Sequence, residues 1–191
     1  MKKQILIING HQKWEGASEG TLHNFINQNL RKSLSKHELK HSNIISYDIN
    51  DEIDKFLWAD VIIYHFPIFW MSVPWGMKKY LEEILMSSGG KLFEHDGRTR
   101  KTPEGIHYGN GGLCKGKEFM FISSMNAPAD SFGEDRFFEG DFDKLTHWLR
   151  LNHLWIGMET QLPSFVFSDV HKNPDVENQM VELKKLLSEV I

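Results

Sequence analysis

Three largely apolar runs divide the chain, and each is bounded by polar or turn-forming residues. They cover residues 5–8, 60–67 and 118–123. Runs of this kind are typical of strands that are buried on both faces of a parallel sheet. Two weaker stretches, at about residues 39–47 and 162–167, predict further strands.

Between the strands, apolar residues recur at the spacing of amphipathic helices. One helix is predicted to begin with Thr21 as its N-cap, and others to cover residues 51–58, to open at Pro74, to cover 142–157 and to follow 173–175. This alternation predicts an α/β fold, a parallel sheet covered by helices on both faces. Because no repeat or change in composition divides the sequence, we expect a single domain over residues 1–191.

Composition narrows the classes of function. The chain has 191 residues and a formal net charge of -4, which gives no reason to expect nucleic acid or an anionic membrane as a partner. The single cysteine, Cys114, excludes an intrachain disulfide and a site built from several thiolates. The apolar run at residues 5–8 is too short for a signal peptide or a membrane span, so we expect a cytoplasmic protein.

Parallel sheets of this kind bind ligands beyond the carboxyl ends of their strands, so the loops after the three strong strands form the candidate site. The first loop, residues 9–20, leads into a helix. Ser18, Gly20 and Thr21 suit a phosphate or pyrophosphate, because hydroxyls and helix N-terminal N–H groups bind anions. The loop contains neither a P-loop nor a G-x-G-x-x-G motif, and a solvated loop with an ordinary cap is the alternative.

The second loop, residues 67–76, is rich in aromatic residues and prolines. Aromatic side chains at the ligand edge of a sheet favour a flat heteroaromatic ring such as a flavin, which stacks on Phe or Trp. A dimer interface, or packing beneath a loop, would also account for them. An interface and a flavin site are compatible with each other.

The third loop, residues 124–128, carries small and amide-bearing residues. Its backbone and Asn126 can hydrogen bond the polar edge of a ring, although alone it predicts only a turn. Together the three loops fit a dinucleotide, with the pyrophosphate at the first helix and the flat ring between the second and third loops.

The motifs of the chain resemble those of the flavodoxin-like NAD(P)H:quinone reductase family over nearly the whole length. The segments that carry the resemblance are Asn9-Gly10, Ser18-x-Gly20-x-Leu22, Phe56-Leu57-Trp58-Ala59-Asp60-Val61, Pro67-x-x-Trp70-Met71-x-x-Pro74-Trp75, Lys78-Lys79-Tyr80, Asp96-Gly97-Arg98-Thr99-Arg100-Lys101, Tyr108-Gly109-x-Gly111-Gly112-Leu113, Asn126-Ala127-Pro128, and Gly157-Met158-Glu159 to Asp169-Val170.

The resemblance implies a flavodoxin-like, doubly wound five-stranded parallel sheet with helices on both faces. It also implies FAD as cofactor, a homodimer with the active site at the subunit interface, and NAD(P)H and quinone substrates, with NADPH favoured over NADH. A role under oxidative stress accompanies this activity. Hydride would pass from NAD(P)H to the flavin and then, after NAD(P)+ leaves, to a quinone in the same place, which is a ping-pong scheme.

The FAD contacts of the family correspond to residues in four parts of this sequence. They are Ser18, Glu19, Gly20, Thr21, Leu22, His23, Asn24 and Phe25, then Ile68, Phe69, Trp70 and Met71, then Tyr108, and finally Ser124, Met125, Asn126 and Ala127. The chain departs from the family pattern by an extra residue between Gly10 and Ser18, and by His23 and Ile68, which replace other residue types. No general acid is assigned; Tyr108, and more weakly His107, are candidate donors.

Other functions remain open at this point. An azo- or nitroreductase would use the same flavin site, while a non-enzymatic flavodoxin-type electron carrier or a flavin-binding regulator would not turn over a substrate. The mild net charge and the aromatic edge argue against an electron carrier. The cluster Arg98, Thr99, Arg100 and Lys101 is either a solvated charge run or a contact to a phosphate of NADPH or FAD. No metal site is predicted.

Overall fold

The computed structural model describes residues 1–98, 101 and 104–191. Strands and helices alternate as the hydrophobic pattern predicts. The strands are β1 (Gln4–Asn9), β2 (Glu38–Asn43), β3 (Val61–Pro67), β4 (Glu118–Ser124), β5 (Thr160–Gln161) and β6 (Phe165–Phe167). The helices are α1 (Thr21–Ser33), α2 (Ile49–Trp58), α3 (Trp75–Ser87), α4 (Phe142–Leu145), α5 (His147–Trp155) and α6 (Val176–Val190), and short 3₁₀ turns cover Gly105–His107 and Ala129–Ser131.

The paired strands are all parallel and follow the order β2-β1-β3-β4-β5, with β6 also paired to β4. The short segments β5 and β6 therefore occupy one strand position, the fifth. The sequence predicts one strand over residues 162–167 there, but Pro163 lies between the two segments and has no N–H to donate to the ladder. The order and the five positions confirm the predicted doubly wound, flavodoxin-like sheet.

Hydrophobic cores lie on both faces of the sheet. On one face, α2, α3 and α5 bury residues such as Phe56, Tyr80 and Leu149 against the strands. On the other face, α1 and α6 bury residues such as Ile26 and Leu183. Since both faces are covered, the strands have to be apolar on both sides, which explains the continuous runs in the sequence.

Helix boundaries differ from the sequence-based prediction at several places. Thr21 is not the N-cap of α1; Gly20 is, with φ 89, a left-handed conformation that glycine adopts without steric cost. The predicted helix over residues 142–157 is divided at Thr146, whose hydroxyl donates to the Phe142 carbonyl. Helix α6 begins at Val176, later than the proline at its predicted first turn.

The other differences concern where elements begin and end. Strand β2 ends at Asn43, well before the predicted residue 47, because a turn follows in which the Ser46 N–H donates to the Asn43 carbonyl. Pro74 is the residue before α3 rather than its first helical residue. Within the described residues, no helix is both long and apolar enough to cross a membrane.

The sheet order reverses between β2-β1 and β3-β4, so the carboxyl ends of β1 and β3 flank the switch point. Crossovers from neighbouring strands leave in opposite directions there and open a crevice. The loops after β1, β3 and β4 all meet at this edge.

Candidate functional site

A cavity of about 1140 Å³ opens at the carboxyl edge of the sheet. All three predicted loops contribute to its wall, together with the start of α3. The lining residues are Trp14, Glu15, Ala17, Ser18, Ile68, Phe69, Trp70, Ser72, Val73, Trp75, Lys78, Lys79, Glu82 and Asn126. The volume is slightly above the usual range for small-molecule and cofactor sites, so a ligand of dinucleotide size fits it.

The first loop brings hydrogen-bonding groups to the N-terminus of α1. The first N–H groups of a helix have no partner within the helix, and the first turn of α1 holds no acidic residue to occupy them. Ser18 Oγ lies 3.0 Å from His11 Nε2. A Cβ atom at Gly20 would approach His11 Cε1 to 3.0 Å, and its φ of 89 disfavours any side chain. This arrangement suits a phosphate group.

The aromatic loop forms a two-residue turn with Trp70 and Met71 at its tip. The N–H of Phe69 donates to the Ser72 carbonyl at 2.8 Å, and the N–H of Ser72 donates back at 3.2 Å. Both tip residues are left-handed, with φ 47 and 64. The Trp70 side chain is 94% exposed. The turn thus projects an indole ring outward beside the cavity.

The start of α3 carries positive charge to the same cavity. Gln12 Oε1 accepts a 2.9 Å hydrogen bond from the Gly76 N–H, which ties α3 to the first loop. Two and three residues after Gly76, Lys78 and Lys79 reach the cavity wall beside the exposed Trp75. Their salt bridges to Glu82 and Glu83 lie at the surface, where such pairs are weak and exchange readily for a ligand anion.

Behind the cavity wall lies a chain of histidines. His11 and His23 stack with ring centroids 5.5 Å apart, and His23 Nδ1 lies 3.1 Å from His65 Nδ1. His23 Nε2 lies 2.9 Å from Ser124 Oγ. Burial lowers the pKa of all three imidazoles, that of His65 to about 3, so the chain is uncharged at neutral pH.

The third loop is held by the fifth strand position. The Met125 N–H donates to the Phe167 carbonyl at 2.9 Å, and the Asp169 N–H donates to the Ala127 carbonyl at 3.0 Å. These bonds leave Asn126 exposed at the cavity with its amide free of the turn's own hydrogen bonds.

The structure brings many of the predicted cofactor residues together. Ser18, Ile68, Phe69, Trp70 and Asn126 line the cavity, and Gly20, His23, Ser124 and Met125 lie directly behind them. Of the remaining predicted contacts, Glu19, Thr21, Asn24 and Met71 are exposed at the surface of these loops, Ala127 is half-buried, and Leu22 and Phe25 pack against the core.

Tyr108 lies apart from the other predicted contacts. It does not line the cavity; its ring packs edge-on to Trp155 at 5.0 Å, and the Arg98 guanidinium lies 5.2 Å from its centroid. Arg98 is also paired with Asp96 at 2.6 Å, while Thr99 and Arg100 of the basic cluster lie outside the described residues. His107 is exposed nearby.

Sequence reasoning missed several residues of the site, namely His11, Gln12, Trp14, Trp75, Lys78 and Lys79. His11 lies two residues after the end of the first strand, and this position alone would have justified naming it a candidate site residue. The lysines gave no such signal, because a pair of lysines on a helix is usually a solvated surface. Only the folded arrangement places them opposite the first loop.

Comparisons with known proteins agree with this geometry. The chain matches the family described as having a flavodoxin-like fold over residues 3–190. It is 39% identical to NADPH:quinone oxidoreductase MdaB of Haemophilus influenzae, over 97% of this chain and 98% of that protein.

Two solved structures share the fold. The general stress protein 14 of Treponema denticola in complex with FMN has a TM-score of 0.70 and 16% identity, and covers 98% of this chain and 97% of its own. An NADPH-quinone reductase of P. pentosaceus has a TM-score of 0.67 and 16% identity, and covers 97% of this chain and 96% of its own. The resemblance recognised in the sequence motifs is thereby confirmed, and the chain belongs to the flavodoxin-like family.

Proposed function

We propose that this chain is an FAD-dependent NAD(P)H:quinone oxidoreductase that uses NADPH and works as a homodimer. The observation that carries the proposal is the cavity whose wall extends from Ser18, in the loop that leads into α1, to the aromatic turn. The near full-length similarity to a protein named NADPH:quinone oxidoreductase supports the reaction class. A cytoplasmic location and a role under oxidative stress follow as part of the same proposal.

The residues present fit a flavin. Phe69 and Trp70 offer aromatic faces to a flat ring, and Asn126 offers an amide to its polar edge. The turn that carries Trp70 is held in a left-handed conformation, which is the kind of strain found where a backbone is shaped for a ligand. The flavin of a related fold is FMN, bound by the Treponema protein.

The size and charge of the cavity favour FAD over FMN. One phosphate is accommodated at the N-terminus of α1, near Ser18. The cavity continues from there to Lys78 and Lys79, which supply cations for a second phosphate, and Trp14 and Trp75 offer faces for an adenine ring. FMN would leave this part of the cavity unused.

The bound FAD would supply the redox chemistry, by accepting a hydride from NAD(P)H and delivering it to a quinone in a ping-pong sequence. The chain's own residues bind and orient the flavin. The first loop holds the phosphates, the aromatic turn fixes the plane of the ring, and the third loop meets its polar edge. No side chain is assigned as a general acid, and Tyr108 stays a candidate donor that a partner subunit would have to bring nearer.

The decisive experiment is anaerobic. The purified protein is loaded with FAD, and its visible spectrum is recorded during titration with NADPH and then with a quinone. We expect bleaching by NADPH and recovery of the oxidised spectrum with the quinone. Failure of NADPH to bleach the loaded protein would overturn the proposal. Recovery with an azo dye but not with a quinone would assign the azoreductase activity instead.

A matched pair of variants locates the ring. Trp70→Ala should lower FAD occupancy or the rate of bleaching, because it removes one wall of the cavity. Trp148→Ala, on α5 and packed against the core, should change neither. Equal effects of the two variants on flavin occupancy would mean that the ring lies elsewhere. Identification of the released flavin by chromatography separates FAD from FMN.

A further inference from the structure

The histidine chain behind the cavity has a geometry that restricts where its protons lie. His65 on β3 is fully buried and His23 in the first turn of α1 is 2% exposed. Their Nδ1 atoms are 3.1 Å apart, so one carries a proton and donates it, while the other accepts. His23 Nε2 is 2.9 Å from Ser124 Oγ and takes the opposite role on its other side. Burial keeps both rings neutral.

Two arrangements of protons satisfy these distances. In the first, His65 Nδ1–H donates to His23 Nδ1, and His23 Nε2–H donates to Ser124 Oγ. In the second, Ser124 donates to His23 Nε2, His23 donates to His65, and the proton of His65 is on Nε2. The two differ in what they leave unpaired at His65 Nε2, which is buried and has no partner among the described residues.

The first arrangement has the lower free-energy cost. It leaves a bare nitrogen at His65 Nε2, whereas the second leaves a buried N–H without an acceptor. Unpaired buried N–H donors are rarer in proteins than unpaired acceptors. In the first arrangement His23 donates to the Ser124 oxygen and does not accept the proton of the Ser124 hydroxyl. Within the part of the chain that the structure describes, no other acceptor is found for it.

Among the described residues the chain has no hydrogen bond beyond His65 Nε2, which is buried, and so offers no onward path for a proton there. A conduit would need a proton source or sink at that end. The chain therefore holds the protons in place. Ser124 is the last residue of β4, next to the loop that supplies Asn126 to the cavity, and lies against the first turn of α1.

We propose that His65 and His23 are positioning residues that fix the Ser124 hydroxyl as a hydrogen-bond donor to an acceptor atom of the bound flavin. Ser124 is 5% exposed and lies behind the residues that line the cavity, so the acceptor is a flavin oxygen or ring nitrogen that reaches past them, between the phosphate at α1 and the ring edge at the third loop. This inference rests on the proposed function, since the flavin is the ligand. It adds a residue on β3, His65, that has no contact with the cavity itself.

The proton positions can be tested without flavin. Nitrogen-15 spectra of the histidine side chains in the flavin-free protein report which nitrogen carries the proton. We expect His65 protonated at Nδ1 and His23 at Nε2. His153 is an internal reference, because its Nδ1 lies 2.9 Å from the Leu149 carbonyl and must therefore carry the proton. A His65 proton on Nε2 would overturn the proposal.

The link to the ligand is tested by a double-mutant cycle on FAD affinity, with FMN as a second probe. Ser124→Ala and His65→Leu should each weaken binding about fivefold, the size of one hydrogen bond. The double variant should be no weaker than either single variant, because His65 acts through Ser124. His65→Asn should restore affinity, since its amide nitrogen takes the place of the His65 Nδ1 and can donate to His23 Nδ1. Additive losses, or no rescue by asparagine, would contradict the proposal.

His37→Asn provides the matched control. His37 is also a buried histidine, but its Nδ1 accepts from the Lys3 N–H at the opposite edge of the sheet. Its replacement should leave flavin affinity unchanged. A wild-type protein that shows the expected proton positions but binds neither FAD nor FMN would overturn the proposed function and leave the proton arrangement standing.

Discussion

Trp70 and Met71 hold backbone angles that L-residues adopt at a cost. The left-handed region disfavours a residue with a Cβ atom by about 1–2 kcal/mol. The turn persists because its ends are anchored, with Pro67 and Val73 buried and two hydrogen bonds between Phe69 and Ser72. Strain of this size in an exposed turn indicates that the direction of the Trp70 indole has been selected over stability.

Glycine at either tip position should therefore separate stability from binding. Trp70→Gly and Met71→Gly each remove the left-handed strain, and glycine loses part of that gain through unfolded-state entropy. We expect a net rise of about 0.5–1 kcal/mol in the free energy of unfolding for both, measured by urea denaturation.

Only Trp70→Gly should weaken FAD binding, because Met71→Gly keeps the indole. Lower stability in both variants would show that the turn is not strained. Equal loss of FAD affinity in both would show that the shape of the turn matters for the ligand rather than the ring of Trp70.

The buried histidines make stability depend on pH. A histidine in the unfolded chain takes up a proton near pH 6.5, whereas burial lowers the pKa of His153 to about 4 and that of His65 to about 3 in the folded protein. Below pH 6.5 the unfolded state thus binds more protons than the folded state. The free energy of unfolding should fall as pH falls, by about 1.4 kcal/mol per pH unit for each such histidine.

Urea denaturation at several pH values between about 7 and about 4.5 measures this slope. His153→Gln removes one of these histidines and should flatten the slope by about 1.4 kcal/mol per pH unit, whatever it does to stability at neutral pH. An unchanged slope in the variant would mean that His153 is protonated in the folded protein.

At the scale of elements, the sequence predicts which segments form strands better than it predicts where helices and strands begin and end. The runs that become β1, β3 and β4 are apolar on both faces because helices cover the sheet on both sides, and their short length between turn-forming residues is typical of strands. The start of α1 was misplaced because Thr21 has the chemistry of an N-cap, but the left-handed turn at Gly20 fills that position. A backbone conformation of this kind is set by the loop before it, which sequence periodicity does not describe.

The candidate site also has a part that the sequence predicts and a part that it does not. The three loops were predictable, since their place at the sheet edge follows from the strand order. His11 and Trp75 lie within these loops but were not singled out as site residues. The lysines of α3 were not predictable, because the placement of this helix against the first loop is a matter of tertiary packing. Gly10 shows how close that packing is. A Cβ atom there would lie 2.5 Å from Met77 Sδ, so any larger residue at this position would displace the Met77 side chain of α3.

The helix caps allow a matched test of element stability. Asp48 caps α2, and its carboxylate accepts from the N–H groups of Asn50 and Asp51 at 3.0 Å. Asp48→Ala should lower the free energy of unfolding by about 1 kcal/mol. Asp175 occupies the same position before α6 but accepts no backbone N–H, so Asp175→Ala should cost only a few tenths of a kcal/mol. Equal losses in thermal or urea denaturation would mean that the cap bonds contribute nothing.

At the scale of the whole molecule, the cavity lies on a face that is unusually apolar for a monomer. Trp70, Met71 and Trp75 are exposed by 94%, 46% and 63%, and they flank the cavity on one side. Exposed apolar patches of this kind mark interaction surfaces. A second copy of the chain, related by a two-fold axis, would cover this face with the same residues and close the cavity against water.

Replacement of Trp75 should therefore separate the subunits. Trp75→Arg puts a charge into the proposed interface at a side chain that the isolated chain does not bury, so the fold should survive while the dimer dissociates. Sedimentation at micromolar concentration should give a dimer for the wild type and a monomer for the variant.

The matched control is Val181→Arg, at a 64% exposed position on α6 on the other side of the sheet, which should stay dimeric. The monomeric variant should also release FAD more readily than the control, because it loses both the partner that closes the cavity and the Trp75 face proposed for the adenine ring. A wild type that sediments as a monomer, or a monomeric Trp75→Arg variant that holds FAD as tightly as the dimer, would show that one subunit builds the whole site.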